Sequence, residues 1–221
     1  MRPRRFLAVV VGVALTAAAC AAPSETAVTA VSGDAGYAVV DGWVGYRRTP
    51  APDVSDVELL DFADMTDGTP FPMVAEPGEL LLVYFGYLSC PDVCPTTMSD
   101  LGAALRAMPP DEAARVSVAM ITVDPERDQG PQIVKYVSVF VDRAHGLVAP
   151  DAAALAHAGE RFGARWEIEE HEPSATDYEV GHTATVFVVD DTGHVIWELN
   201  FGLEPADIAH TLEGLLVERY G

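Results

Sequence analysis

The architecture of this chain follows from one stretch of its sequence, LLLVYFGYLSCPDVCP at residues 80–95. The first half of the stretch, residues 80–87, is a continuous apolar and aromatic run of strand length, which is typical of a strand buried on both faces of a sheet. The second half carries Cys90 and Cys94 in a loop, and Pro95 is a residue type that commonly begins a helix. The stretch therefore predicts a central strand, a cysteine-bearing loop and a helix in succession.

Strands and helices alternate through the rest of the chain. The helix that begins at Pro95 carries apolar residues at helical spacing and is ended by two prolines. The later predictions, in chain order, are a strand over residues 116–123, helices over 132–141 and 151–162, strands over 166–169 and 184–190, a turn at 191–193, a strand over 195–201 and a helix over 204–219. This alternation favours parallel pairing, and the turn favours an antiparallel return.

This order predicts an α/β chain with a thioredoxin-like fold, in which helices flank a central mixed sheet. Extra N-terminal strands are expected within residues 37–48 and 53–72, the latter with a turn at 67–70, and a β-hairpin and a helix complete the C-terminal end. With 221 residues, of which 49% are apolar, the chain can bury one sizeable core. Residues 37–221 are therefore predicted to form a single domain.

The N-terminus has the layout of a secretory signal, with a basic start, an apolar run and small residues before Cys20. The apolar run is shorter than the roughly 20 residues that a helix needs to cross a bilayer. We expect residues 1–19 to be a signal peptide, and Ala17-Ala18-Ala19-Cys20 resembles a bacterial lipobox, which would place a lipid on Cys20. An ordinary signal peptide and an uncleaved anchor are the alternatives.

Residues 20–36 are mostly small and polar without periodicity, which predicts a flexible tether between a lipid anchor and the domain. A lipid on Cys20 would hold the chain at the outer face of the cytoplasmic membrane in a bacterial cell envelope.

The net charge of the chain is -21, from 34 acidic and 13 basic residues. Such a charge repels phosphate backbones, which excludes a nucleic-acid partner. It favours cationic species, including metal ions and basic protein surfaces, although acidic solubility alone would also explain it.

Cys90 and Cys94 are the candidates for chemistry. The positive end of a helix dipole stabilises thiolate over thiol, and both metal binding and disulfide exchange require thiolate. A C-x-x-C spacing is usual for oxidoreductases, whereas the wider spacing here can close a disulfide but also lets two sulfurs converge on one soft metal ion. A stabilising disulfide is the plain alternative, yet so short a ring constrains little of the unfolded chain.

His182 precedes the strand predicted over residues 184–190, and in a thioredoxin-like sheet this position lies beside the cysteine-bearing helix end. The other histidines have no comparable context; they are His145, His157, His171, His194 and His210. Two thiolates and one imidazole form a ligand set that suits Cu(I). The same set could hold Cu(II) if an oxygen ligand or water joined it. Zinc ranks second, because a structural zinc site normally has a fourth protein ligand.

The run FGYLSCPDVCP at residues 85–95 resembles the signature of the Sco/SenC family, and residues 122–128 (TVDPERD) and 178–183 match it in the same order. The resemblance covers about residues 61–221. It implies a thioredoxin-fold copper protein of the mitochondrial inner membrane or bacterial envelope, implicated in assembling the dinuclear copper centre of cytochrome c oxidase. By that resemblance the copper ligands are Cys90, Cys94 and His182.

The segment from Asp124 to Asp128 has two interpretations. In the structural one, Asp124 ends a strand, Pro125 breaks it and Arg127 pairs with a carboxylate. In the functional one, Asp124, Arg127 and Asp128 support the copper ligands or dock a partner.

Three functions remain open. The first is copper delivery, in which the chain accepts copper from an upstream donor and passes it to the apo copper-centre subunit of the oxidase, as a metallochaperone rather than an enzyme. The second is a thiol-disulfide oxidoreductase that uses Cys90 and Cys94 to reduce the cysteines of that copper site, for which His182 is dispensable. The third is a redox or copper sensor. The first two need a thiol reductant in an oxidising compartment.

Overall fold

The computed structural model describes residues 28–31, 36–40, 42–63, 68–172 and 177–221 of the chain. The strands are β1 (Val28–Val31), β2 (Gly36–Val40), β3 (Arg47–Thr49), β4 (Glu58–Asp61), β5 (Thr69–Pro72), β6 (Leu80–Gly86), β7 (Val116–Thr122), β8 (Ala144–Val148), β9 (Trp166–Ile168), β10 (Val180–His182), β11 (Val186–Val189) and β12 (Val195–Leu199). The helices are α1 (Val93–Ala107), α2 (Pro110–Ala113), α3 (Gly130–Val137), α4 (Ala152–Phe162) and α5 (Pro205–Tyr220). Within the described ranges, no helix combines the length and the apolar character that crossing a bilayer requires.

Seven strands form the main sheet, in the order β12-β11-β6-β7-β8-β4-β5. β6 pairs in parallel with β7 and antiparallel with β11, and β7 pairs in parallel with β8. Every residue of β6 and β7 is buried, as the continuous apolar run over residues 80–87 predicts for an interior strand. The predicted α/β fold with a mixed central sheet is confirmed.

Helices pack on the sheet and complete the core. α1 packs against α5, and α3 packs against β7 and β8. The residues buried in α1 and α5 include Met98 and Leu101 on one helix and Leu212 and Leu215 on the other, each at most 1% exposed. Full burial of an apolar side chain of this size contributes about 1.5–3 kcal/mol. This packing fixes the helix whose first turn carries Cys94.

The helix after the cysteine loop begins earlier than the sequence predicts. The prediction starts it at Pro95, whereas α1 begins at Val93 and Asp92 is the residue before it. A proline is compatible with the first turn of a helix, because the N–H groups of that turn have no partner within the helix. Cys94 consequently lies in the first turn of α1, and only Cys90 lies in the loop.

Two short strands, β8 and β10, are absent from the predictions. Both are only partly buried, and each contains a glycine, so neither presents the apolar run or clean alternation that signals a strand. β10 pairs antiparallel with β9, and the two strands form a sheet separate from the main one. The sequence predicts a strand over residues 166–169 but does not indicate that this strand lies outside the main sheet. His182 therefore ends a short strand of its own, which precedes the strand predicted over residues 184–190.

Two boundaries also differ from the predictions. α3 begins at Gly130 and ends at Val137, earlier than the helix predicted over residues 132–141, because Pro131 is well suited to a first helical turn. Thr69 and Pro70, predicted as part of a turn, already pair with β4 as residues of β5.

The predicted tether over residues 20–36 contains a strand. β1 pairs antiparallel with β2, and β2 pairs antiparallel with β3. The β-branched residues of the sequence VTAV favour a strand when a partner strand is available. A flexible tether between a lipid anchor and the domain stays a prediction. The predicted signal peptide over residues 1–19 and the predicted lipidation site at Cys20 lie outside the described residues.

Candidate metal centre

Three separate elements bring Cys90, Cys94 and His182 together. Cys90 lies in the loop after β6, Cys94 in the first turn of α1 and His182 at the end of β10. The Nε2 atom of His182 is 3.3 Å from the Sγ atom of Cys94 and 4.0 Å from that of Cys90. All three donor atoms lie within 4.8 Å of one another, so the cluster could hold a metal ion. These are the same three residues that the sequence singles out.

The imidazole of His182 presents the nitrogen that a metal needs. Its Nδ1 atom lies 3.1 Å from the carbonyl oxygen of Thr183, which can only accept a hydrogen bond, so the ring proton resides on Nδ1. The lone pair of Nε2 then faces the two sulfurs, as in metal-binding histidines held by a carbonyl. Burial lowers the pKa of His182 below its usual value, against hydrogen bonds with the backbone of Thr183 and Phe85 that raise it. The ring is therefore neutral at pH 7.

The thiol of Cys90 ionises more readily than an ordinary cysteine thiol. Burial opposes its charged form, but the backbone N–H groups of Cys94, Asp92 and Val93 outweigh burial and lower the pKa of Cys90. The N–H group of Cys94 lies 3.4 Å from the Cys90 sulfur, as expected for the unpaired amides of a helix N-terminus. Cys90 is half-buried, so this thiolate is accessible from solvent.

The thiol of Cys94 has the opposite character. Burial raises the pKa of Cys94 to about 12, and the charge of the Cys90 thiolate raises it further, against hydrogen bonds from the Tyr87 backbone and the Tyr84 hydroxyl. Both cysteines are free thiols in this structure, which thus describes the reduced protein. The disulfide between Cys90 and Cys94 stays a prediction.

Two tyrosines that sequence reasoning missed surround the histidine. The rings of Tyr84 and Tyr87 meet the His182 ring edge to face, each with centroids 5.7 Å apart. The hydroxyl of Tyr84 is fully buried and lies 3.9 Å from the Cys94 sulfur. A polar tip within a buried apolar run is a usable signal, because a buried tyrosine normally needs a partner for its hydroxyl.

Gly86, at the end of β6, is a further residue that the sequence analysis missed. A Cβ atom at this position would lie 2.8 Å from Tyr84, 3.0 Å from the Sγ atom of Cys94 and 3.1 Å from Met120. Only a glycine lets the first turn of α1 bring Cys94 so close to the end of the strand.

The three acidic and basic residues predicted to support the site contribute no donor to the cluster. Asp128 is buried and accepts a hydrogen bond from the backbone N–H of Leu88 at 3.0 Å. Asp124, also buried, forms an ion pair with Arg127. These residues contact the chain on either side of the cluster, at Leu88 and at Tyr178.

Comparison with known proteins shows the family of the chain. The model of a family described as SCO1/SenC matches residues 61–217. The mitochondrial protein SCO2 homolog of Mus musculus is 29% identical over 153 residues, which cover 68% of this chain and 59% of that protein. The chain therefore spans less than two thirds of the length of that relative.

Solved structures share the fold. The apo Sco1 protein of Thermus thermophilus is 29% identical and superposes with a TM-score of 0.61, over 80% of this chain and 94% of that one. The ScoI protein of Bradyrhizobium japonicum, solved with copper bound, is also 29% identical, with a TM-score of 0.60 over 77% of this chain and 98% of that one. The thioredoxin-like expectation for the fold agrees with both.

Proposed function

Because this chain belongs to the SCO1/SenC family, we propose that it binds copper through Cys90, Cys94 and His182 and delivers it to the dinuclear copper centre of cytochrome c oxidase. The Sco family consists of cytochrome c oxidase assembly proteins, and the Bradyrhizobium japonicum relative binds copper. The chain acts in this proposal as a carrier, and copper is its cargo.

One observation carries the proposal: the neutral Nε2 atom of His182 faces the two sulfurs at 3.3 and 4.0 Å. Two thiolates and an imidazole form a soft, three-coordinate set, which suits Cu(I) and, with an added oxygen ligand, Cu(II). Among the described residues, no further histidine, cysteine or carboxylate joins these three as a fourth ligand. A structural zinc site normally has four protein ligands, so the set favours copper.

The two thiols differ in a way that suits capture and release. Cys90 is half-buried and has the lower pKa, so its thiolate is the first to meet an incoming cation. The positive charge of the bound ion then promotes loss of the proton from buried Cys94, since metal binding and thiol ionisation are linked. An acceptor can replace Cys90 first, because the neighbouring Pro91 and Asp92 are exposed and leave that side of the cluster open.

The location of the chain is part of the proposal. The basic and apolar N-terminus before Cys20 supports export, and the small residues before that cysteine support a lipid anchor at the outer face of the cytoplasmic membrane. An acceptor there would be the apo copper-centre subunit of the oxidase. An upstream copper donor and a thiol reductant complete the cycle, since the cysteines must be reduced before each loading.

A second candidate function is reduction of the acceptor's disulfide, favoured by the contrast between an accessible Cys90 of low pKa and a buried Cys94 of high pKa. In this reaction the Cys90 thiolate attacks the acceptor disulfide and forms a mixed disulfide. The acceptor thiolate released in this first step takes the proton of Cys94. The Cys94 thiolate then attacks the Cys90 sulfur and breaks the mixed disulfide, which leaves a Cys90–Cys94 disulfide and a reduced acceptor. His182 is not required. A sensor of copper or redox state would share these residues.

A transfer assay separates the two reactions. The copper-loaded full-length chain is mixed with the reduced apo copper-centre domain, and the metal-free reduced chain is mixed with the same domain as its disulfide. Copper transfer that is lost in His182→Ala, with no reduction of the disulfide, supports delivery. Disulfide reduction that persists in His182→Ala, with no copper transfer, would overturn it in favour of the reductase.

A further inference from the structure

The TVDPERD segment, residues 122–128, contacts Leu88 near Cys90 and Tyr178 near His182, although it provides none of the metal donors. It runs from the end of β7 toward α3 and contains two buried carboxylates, Asp124 at 0% and Asp128 at 3% exposure. A buried carboxylate is costly unless its oxygens are hydrogen-bonded. The partners of these two side chains therefore indicate what the segment does.

One carboxylate holds the cysteine loop. Oδ2 of Asp128 accepts a hydrogen bond from the backbone N–H of Leu88 at 3.0 Å and another from the hydroxyl of Thr122 at 2.8 Å. Leu88 lies two residues before Cys90, where the chain leaves β6 and enters the loop. Asp128 thus fixes the start of the loop that carries the accessible thiol.

The other carboxylate holds the histidine strand. Asp124 accepts a hydrogen bond from the hydroxyl of Tyr178 at 2.7 Å and pairs with Arg127. Arg127 donates to the carbonyl oxygen of Tyr178 at 3.0 Å, and its guanidinium carbon lies 3.5 Å from the centroid of the Tyr178 ring. Tyr178 is therefore fixed at its hydroxyl, its ring and its backbone, two residues before the strand that ends at His182.

Arg127 also reaches the histidine through a second side chain. Its guanidinium carbon is 5.7 Å from the centroid of the Tyr87 ring, and that ring meets His182 edge to face. The orientation of His182 is thus constrained by the segment that leads into its strand, through Tyr178, and by the ring of Tyr87, and Arg127 contacts both tyrosines.

We propose that residues 122–128 act as a two-armed brace: Asp124 and Arg127 position His182 through Tyr178, and Asp128 positions Cys90 through Leu88. All of these are positioning residues and none is a ligand. The inference rests on the proposed copper site for its importance, but the brace itself exists in the metal-free protein and can be tested there. The two arms predict separable effects, since each holds a different ligand.

The histidine arm is tested with Tyr178→Phe in the full-length chain, which removes only the hydroxyl bonded to Asp124. Tyr220→Phe is the matched control, because its hydroxyl donates to the carbonyl of Glu79 at 2.7 Å, at the opposite end of β6 from Cys90. The readouts are the imidazole nitrogen and proton resonances of His182, the alkylation rate of Cys90, and copper affinity. Tyr178→Phe is expected to shift the His182 resonances, leave the alkylation rate unchanged and weaken copper binding by about 10- to 100-fold, the usual range for residues that orient a ligand.

The cysteine arm is tested with Asp128→Ala and Asp128→Asn. The alanine variant is expected to change the alkylation rate of Cys90, and to move the His182 resonances less than Tyr178→Phe does, because Asp128 reaches His182 only through Leu88 and the neighbouring Tyr87. The asparagine variant is expected to keep the wild-type alkylation rate, because its side-chain oxygen can still accept hydrogen bonds from the Leu88 N–H and the Thr122 hydroxyl. If Tyr178→Phe does not fold, Arg127→Lys tests the histidine arm in its place, because it keeps the charge beside Asp124 but lacks the planar group stacked on Tyr178. The same shift of the His182 resonances is expected.

The outcomes separate this inference from the proposed function. If the wild-type chain binds no copper, the proposed function fails, while the resonances and alkylation rates still decide the brace. If copper binds and Tyr178→Phe moves the His182 resonances no more than Tyr220→Phe does, the histidine arm is wrong. If Asp128→Ala leaves Cys90 alkylation at the wild-type rate, the cysteine arm is wrong.

Discussion

The Sγ atom of Cys94 lies 3.3 Å from the Nε2 atom of His182, across 88 residues of sequence. The sulfur is fixed by the first turn of α1 and the imidazole by the end of β10. Because the two residues belong to separate elements, their approach depends on the packing of the whole sheet end. The metal site is therefore a tertiary feature, and substitutions that disturb this packing should affect it without touching a ligand.

Gly86→Ala should damage the site through packing alone. The new methyl group would meet Tyr84 at 2.8 Å and the Cys94 sulfur at 3.0 Å, so Cys94 or its helix must move. We expect a loss of stability of about 1–3 kcal/mol, as for overpacked cores, and weaker copper binding. Gly181→Ala is the control: it is adjacent to His182, yet its methyl group would find only the Glu167 carbonyl at 4.0 Å. Equal effects of the two substitutions would refute the packing explanation. Calorimetry and copper titration provide both measurements.

The two thiols should titrate far apart. The backbone N–H groups around Cys90 lower its pKa, whereas burial raises the pKa of Cys94 to about 12. Alkylation of Cys90 is therefore expected to reach half its maximal rate at a pH below the pKa of an ordinary thiol, about 8.5. Cys94 should stay unreactive at neutral pH. Rates measured against pH in the single variants Cys94→Ser and Cys90→Ser test this. A midpoint for Cys90 above that of a free thiol is the contrary result.

His182 should make the metal-free protein sensitive to acid. Burial lowers its pKa in the folded state, so the unfolded state binds the proton more readily. The stability that depends on a neutral His182 is fully present above the unfolded pKa, about 6.5, and is lost as the pH falls from there toward the lower folded pKa. Denaturant unfolding of wild type and His182→Gln at several pH values should show a difference that shrinks on acidification. A difference that is constant with pH contradicts the prediction.

Cys20→Ser should release the chain from the membrane if Cys20 carries a lipid. The variant is expected in the soluble fraction, or as an unprocessed precursor, while the wild type sediments with membranes. Metabolic labelling with a fatty-acid analogue gives a direct readout. A wild-type chain that is soluble and unlabelled would leave an ordinary signal peptide as the explanation of residues 1–19.

The central strand and the two cysteines can be predicted from the sequence because their signals are local. β6 is a continuous apolar run, and Cys90 and Cys94 follow it directly. The signal for His182 is not local, because it depends on the position expected for this residue in a thioredoxin-like sheet. β10 escaped prediction because three residues with a central glycine carry no strand signal.

The surroundings of the ligands could not be predicted in the same way. Tyr84 and Gly86 look like ordinary members of a buried strand, and their closeness to Cys94 depends on where α1 packs. The link from Asp124 to Tyr178 joins residues 54 positions apart, so the sequence left the role of Asp124 undecided. In each case the information lies in the tertiary contact and not in the residue pattern.

The central claim is tested most directly by copper titration of the reduced full-length chain, comparing wild type with Cys90→Ser, Cys94→Ser and His182→Ala. His157→Ala is the matched control, because His157 lies on α4 beside Asp56 and outside the cluster. We expect one tight equivalent in the wild type and in the control, and an affinity lower by about 100-fold or more in the three ligand variants, beyond the usual effect of residues that only orient a ligand. Tight binding that is indifferent to His182 would contradict the three-ligand copper site.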